Sequence, residues 1–239
     1  MRFAIMGAGD IGSRYGARLI TAGHDVTFIA RGARLAELQS KGLIVPAGSF
    51  GPEFVIESVQ ATDAPQCMAP VDSIVFAVKN YHLDDAANLI KPIVGDDTTI
   101  IPLQNGVAAP GRIGDIVGSK HVLGFATYSP NAIGELDGPI SNRVQRLADA
   151  FNEAGLKVEA VDNIWEPLWR KLCAYASFSP FIVARLSPGD AMANPELAEL
   201  HRNACREVAA VGQAEGFDID AKKLVEFASF APKSKQSMT

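Results

Sequence analysis

The hydrophobic positions along the chain change period several times, and each change marks a predicted element. Phe3 to Met6 is a short apolar run that stops at Gly7-Ala8-Gly9-Asp10-Ile11-Gly12. Beyond it Ile11, Tyr15 and Leu19 recur every four residues as far as Gly23, and Val26 to Ala30 is β-branched and apolar. This order predicts strand, glycine turn, helix and strand, a βαβ unit within residues 1–30. Ala33 to Lys41 predicts a second helix, with Gly42 after it. Residues 43–62, broken by Pro46, Gly48, Gly51 and Pro52, predict a small hairpin excursion. The segments Val71 to Val78, Thr98 to Leu103, His121 to Ala126 and Leu156 to Val161 are nearly continuous in apolar residues. Such runs suit strands of a parallel sheet covered on both faces. Helical spacing fills Tyr81 to Lys91 and, behind the N-cap Ser141, the positions Val144, Leu147, Ala148 and Phe151 as far as Gly155. Alternation of this kind predicts an α/β fold on a doubly wound parallel sheet.

No convincing strand follows Asn163. Ile164 to Leu186 has helical periodicity interrupted at Pro180, and Asn194-Pro195 predicts a helix start. Leu197, Leu200, Ala204, Val208 and Val211 then form an apolar stripe running to Gly216, and Ala221 to Phe230 predicts a last short helix. Two domains are expected, 1–163 as a dinucleotide-binding α/β domain and 164–239 as an all-helical piece.

Composition narrows the function classes. Of 239 residues, 48% are apolar and 21% charged, and 22 Lys+Arg against 27 Asp+Glu give a net charge of −5. A chain that is acidic and has no Lys/Arg run lacks the footprint of a nucleic-acid or anionic-membrane binder, so neither partner is expected. No apolar run approaches the ~20 residues that span a bilayer. Cys67, Cys173 and Cys205 are too few and too scattered for a disulfide framework or a zinc cage. They are expected to be buried thiols in a reducing compartment, which predicts a cytoplasmic protein without a metal site.

The glycine motif carries the chemistry. Gly7 permits the tight turn, Gly9 lets a pyrophosphate approach the backbone, and Gly12 lets the helix pack closely on the sheet. The helix N-terminus then presents unpaired amides to the diphosphate. After the second strand the chain has Ala30-Arg31-Gly32, not the acid that accepts from ribose hydroxyls in NAD sites. Arg31 would pair with a 2′-phosphate, so NADP(H) is the expected coenzyme, although the same arginine could be a solvated surface charge. Lys79 and Asn105 each follow a predicted central strand and should border the cofactor cleft, unless they simply cap loops. The cofactor-binding set expected from these motifs is Gly7, Ala8, Gly9, Asp10, Ile11, Gly12, Arg31, Lys79 and Asn105.

The glycine motif, Arg31, Val78-Lys79-Asn80-Tyr81, Leu103-Gln104-Asn105-Gly106-Val107, Gly134-Glu135-Leu136-Asp137-Gly138 and Trp169-Arg170-Lys171-Leu172 occur in that order. In this the chain resembles the ketopantoate reductases (2-dehydropantoate 2-reductases) from Met1 to Thr239. The resemblance implies a Rossmann-type doubly wound parallel sheet followed by an all-helical C-terminal domain that serves substrate binding or dimerisation, with the active site in a cleft between them. It implies NADPH-dependent reduction of a 2-oxo acid to a 2-hydroxy acid on the route to pantothenate and coenzyme A. By position the family's proton donor falls on Lys171; taken alone, that residue reads as a lysine snorkelling from an amphipathic helix. Asn105 resembles the asparagine that orients nicotinamide ribose and substrate. Helical second domains of this kind often associate, which leaves a homodimer open.

The chain also departs from the family pattern. Asparagines four and eight residues after the catalytic lysine correspond here to Tyr175 and Ser179, one bulkier and one shorter than an amide. Four-residue steps would keep positions 171, 175 and 179 on one helix face. Tyr175 and Ser179 are therefore candidate substrate contacts that would reshape the pocket, although Tyr175 could also be a core aromatic. The family's substrate-binding serine falls on Ser237. The segment between Tyr128 and Ile133 is shorter than in the family, and the family's acidic segment after Ser237 has no counterpart. Either the chain is a shortened, inactive relative or residues are missing at both places; the abrupt Ser129-Pro130 step and the end at Thr239 favour the second. Three functions follow: the family reaction, reduction of a different 2-oxo acid, or a non-catalytic NADP(H)-binding sensor.

Overall fold

The computed structural model of the protein describes residues 1–48, 51–127, 130–217, 219, 220 and 222. The chain divides into two compact units, Met1–Ile164 and a second that begins at Trp165.

The first unit opens with the expected βαβ element: β1 (Arg2–Met6), α1 (Asp10–Thr21) and β2 (Asp25–Ile29), followed by α2 (Gly32–Lys41). The hairpin excursion is present as β3 (Leu43–Val45) paired antiparallel with β4 (Phe54–Ile56). Its last part is not excursion, because β5 (Gln60–Thr62) returns to the main sheet and pairs parallel with β2. With β6 (Ser73–Phe76) and β7 (Thr99–Pro102) the sheet has five parallel strands in the order β5-β2-β1-β6-β7. The strand order reverses beside β1, which is where an open parallel sheet leaves a crevice at its carboxyl ends.

Both faces of this sheet are buried, as the continuous apolar runs require. On β1, Phe3 and Ile5 point into one core with Leu19 of α1, Phe125 and Phe151, while Ala4 and Met6 point into the other. That second core includes Leu83 and Ile90 of α3 (Leu83–Ile90) and Ile113 of α4 (Ala109–Val117). The period of two along one strand thus feeds two helical layers. Helix α4 had no sequence signal, because Gly111 and Gly114 lower its propensity and its burial comes from Ala109, Pro110 and Ile113.

The runs His121 to Ala126 and Leu156 to Val161 were expected in the parallel sheet and lie elsewhere. β8 (Leu123–Ala126) joins a separate three-stranded sheet with β9 (Asn131–Glu135) and β10 (Val158–Ala160), in the order β10-β9-β8. β8 and β9 are antiparallel with Ala126 opposite Ala132, and β9 and β10 are parallel. Continuous apolarity reports burial on two faces and does not specify the pairing partner. Ser129, at the step where residues were expected to be missing, lies outside the described residues. Helix α5 (Asn142–Glu153) starts at Ser141, whose hydroxyl accepts from the Val144 amide at 3.3 Å.

The second unit contains α6 (Trp165–Ser177), α7 (Ser179–Ala184), α8 (Pro188–Ala193) and α9 (Pro195–Ala214). Pro180 has no N–H to donate, and it separates α6 from α7, so Ser179 does not share a helix with Lys171 and Tyr175. Asn194 caps α9 through its Oδ1, which accepts from the amides of Glu196 and Leu197 at 3.0 and 3.1 Å. The packed face of α9 is Ala198, His201, Cys205, Ala209 and Gly212, one position along from the expected stripe, and Leu200 and Val211 are exposed. The reason is close approach: a Cβ at Gly212 would lie 3.1 Å from the Trp169 ring of α6 and 2.2 Å from Ile219. The helix expected over Ala221 to Phe230 lies, Lys222 excepted, outside the described residues. Cys173 and Cys205 are buried thiols as expected, whereas Cys67 is exposed. Among the described residues no helix is long and apolar enough to cross a membrane, and no three His, Cys, Asp or Glu side chains cluster as a metal site.

Candidate functional site

The carboxyl ends of β1, β2, β6 and β7 finish flush. Met6 is opposite Ile29 and Phe76, and Phe76 is opposite Pro102. The residues that follow these ends, Gly7–Gly12, Arg31, Lys79 and Asn105, therefore line one edge of the sheet.

The glycine turn is shaped by close approach. Gly7 has φ +102°, and a Cβ there would stand 3.0 Å from Val78 and 3.1 Å from the Ala77 backbone. At Gly12 a Cβ would fall 2.0 Å from the Gly7 carbonyl oxygen, so only glycine lets α1 begin this close to the strand it leaves. At Gly9 the outcome is opposite, since a Cβ would meet nothing within 4 Å. No side chain caps the N-terminus of α1 at Gly9. Open space beside uncapped helix amides is the shape a diphosphate needs, and the residues present fit a dinucleotide. Asp10 would oppose such an anion, but its Oδ1 accepts from Arg14 Nε at 3.1 Å. Arg14 is buried, and its Nη2 also donates to the Pro46 carbonyl. Ile11 is half-buried against the core.

Arg31 is exposed at the N-cap of α2, a helix with no acid in its first turn. Lys79 and Asn105 are both exposed, and their loops are tied together because Asn80 Nδ2 donates to the Asn105 carbonyl at 3.3 Å. Gln104, just before Asn105, is buried and donates from Nε2 to the carbonyls of Phe76 (3.0 Å) and Val78 (2.8 Å). It thereby fixes the chain that leads into Lys79. Its Oε1 is buried with no partner, an acceptor left over at the carboxyl edge. Sequence reasoning singled out neither Gln104 nor Asn80 as a site residue; a polar residue directly at the end of a buried strand was the available signal. The Gly134–Gly138 motif is structural, since Glu135 forms a two-pronged pair with Arg143 and also accepts from Ser141.

In the second unit Lys171 lies on α6 and is half-buried, and desolvation lowers its ammonium from 10.5 to about 8. Tyr175 is 50% exposed, which removes the reading of it as a core aromatic. Ser179 is exposed at the first position of α7. Ser237 lies outside the described residues.

Comparison with known proteins agrees over both units. Residues 3–144 match the family model "Ketopantoate reductase PanE/ApbA", and residues 163–239 match "Ketopantoate reductase PanE/ApbA C terminal". A 2-dehydropantoate 2-reductase of Archaeoglobus fulgidus is 30% identical over 254 residues, covering 99% of this chain and 83% of the relative. One of Mesorhizobium japonicum is 29% identical over 279 residues, covering 100% and 84%. The crystal structure of 2-dehydropantoate 2-reductase from Geobacter metallireducens superposes with a TM-score of 0.87 at 26% identity, covering 100% of this chain and 85% of that one. D-mandelate dehydrogenase, solved with NADH and anilino(oxo)acetate, shares the fold with a TM-score of 0.85 at 20% identity, covering 96% and 79%. From the sheet edge, the glycine turn and these matches together, the chain belongs to the ketopantoate reductase family of NADP(H)-dependent oxidoreductases.

Proposed function

We propose that the protein reduces a 2-oxo acid to the 2-hydroxy acid with NADPH, with 2-dehydropantoate as substrate and pantoate as product. The coenzyme, when bound, supplies a hydride to C2 of the oxo acid. The glycine turn and the α1 amides hold its diphosphate, Arg31 pairs with the 2′-phosphate, and Lys79 and Asn105 stand at the nicotinamide end of the same sheet edge. Lys171 Nζ stabilises the charge that grows on the carbonyl oxygen and gives that oxygen its proton, so C=O, hydride and proton balance as CH–OH. The observation that carries this reading is Lys171 itself: an ammonium half-buried on α6 and brought to about 8 holds its proton at neutral pH yet can release it. The reaction consumes a soluble coenzyme and a small acid, which suits the cytoplasm.

A second reading keeps the chemistry and changes the acid. Tyr175 is half exposed where the family has an asparagine, and Ser179 stands on a separate short helix. A bulky phenol and a displaced hydroxyl would select a differently shaped oxo acid. Absorbance assays of NADPH oxidation with a panel of 2-oxo acids separate the two. Turnover with 2-dehydropantoate that is lost in Lys171→Ala, with NADPH affinity retained, is the expected result. Tight NADPH binding without turnover on any oxo acid would make the protein a coenzyme sensor instead.

A further inference from the structure

Arg34 lies in the first turn of α2, beyond the residues assigned above, and all three of its nitrogens are engaged. Nε donates to the Ala8 carbonyl at 3.0 Å, Nη2 donates to Ser13 Oγ at 3.1 Å, and Nη1 pairs with Glu37 at 2.5 Å. Ser13, itself buried, closes a triangle by donating from Oγ to the same Ala8 carbonyl at 3.1 Å. The Ala8 oxygen is thus held by two donors on one side of the turn. In a trans peptide the N–H points opposite the C=O, so the Gly9 amide is directed to the other side. Were the peptide to flip, a carbonyl oxygen would face an incoming phosphate where an N–H is needed.

We infer that Arg34 is a positioning residue for the coenzyme, locking the Ala8–Gly9 peptide so that the Gly9 N–H faces the diphosphate, and that it does not itself read the 2′-phosphate. This rests on the dinucleotide reading of the glycine turn. It assigns the two arginines at the start of α2, Arg31 at its N-cap and Arg34 in its first turn, different work. Arg31 discriminates between coenzymes, while Arg34 supports the part that NADPH and NADH have in common.

Calorimetric titration of the purified full chain with NADPH and with NADH tests the division, alongside a thermal melt of each variant. Arg34→Gln is expected to weaken both coenzymes by the same factor, about tenfold, which corresponds to about 1.4 kcal/mol. Arg31→Gln is expected to weaken NADPH alone. Arg34→Lys keeps the charge but cannot fork between Ala8 and Ser13, so it should remain weakened for both. Unchanged affinities in Arg34→Gln, or weakening confined to NADPH, would overturn the assignment. If Arg34→Gln fails to fold, Ser13→Ala, which removes one side of the triangle, should weaken both coenzymes equally without lowering the melting temperature to the same extent. Unaltered binding in that variant overturns the assignment too. A wild-type chain that binds neither coenzyme would refute the dinucleotide reading itself, a result separate from any behaviour of the variants.

Discussion

With Lys171 as the proposed proton donor, raising the pH through 8 should switch off reduction by removing its proton. Burial brings the ammonium from 10.5 to about 8. The protonated fraction is then about nine-tenths at pH 7 and about one-tenth at pH 9, so kcat/KM for the oxo acid should fall about tenfold between them. The assay is initial-rate NADPH oxidation at saturating coenzyme across this range, compared with Lys171→Arg, whose charge does not titrate there. The wild-type limb should have an apparent value near 8 and a slope of one proton, and the variant should show no limb. The same shift has a consequence for stability. The unfolded lysine keeps its proton to about 10.5 and the folded one only to about 8, so between these values the unfolded chain binds more protons and stability rises with pH. The full shift corresponds to about 3 kcal/mol, and water that still reaches the side chain reduces this to about 2 kcal/mol. Urea titrations of wild type and Lys171→Met at pH 7 and pH 10.5 isolate it, because other titrating groups cancel in the difference. A rate limb near 10.5, together with a stability difference independent of pH, would refute the assignment of a desolvated, proton-donating lysine.

Three further perturbations probe the frame around the site. Gly12→Ala drives a Cβ to 2.0 Å from the Gly7 carbonyl oxygen, so α1 or the turn must move. A loss of about 2 kcal/mol in urea unfolding and weaker NADPH binding by calorimetry are expected. Asn194→Ala removes the acceptor of two α9 amides and should cost about 1 kcal/mol, read as a lower unfolding midpoint. Glu135 is held below the usual carboxylate range: burial pushes it up, but the hydrogen bonds and charge of Arg143 and the Ser141 hydroxyl outweigh burial. Its contribution is present above the unfolded carboxylate value and is lost as the pH falls through the lower folded one. Glu135→Gln should therefore destabilise the chain more at pH 7 than at pH 3, as followed by thermal melts.

Much of the candidate site was legible because its residues are local in sequence. The order of strand, Gly7 to Gly12 and helix fixes a turn by sterics alone, and Arg31, Lys79 and Asn105 each follow a strand whose apolar run is unmistakable. Ser141 and Asn194 were legible as caps for the same reason, since a cap bonds amides two or three residues away. Lys171 stood out only through a resemblance, as nothing in its helical spacing separates it from a snorkelling lysine. Gln104 and Arg34 stayed hidden because their partners, the Phe76 and Val78 carbonyls and the Ala8 carbonyl, are distant in sequence.

The sequence by itself determined the βαβ start, the two-sided burial of the strands, the change to helices after Asn163 and the glycine-shaped turn, because backbone sterics and side-chain period act over a few residues. Only the tertiary structure decided which strands pair. β5 joined the parallel sheet, and β8 and β10 left it to pair with β9, although their side chains predicted otherwise. It also decided which face of α9 is the core. Leu200 and Val211 are exposed while Ala198, Ala209 and Gly212 are buried, because α6 approaches too closely for a larger side chain at Gly212. Pairing and close approach are properties of two segments at once, and a pattern along one segment reports only that burial is needed, not what supplies it.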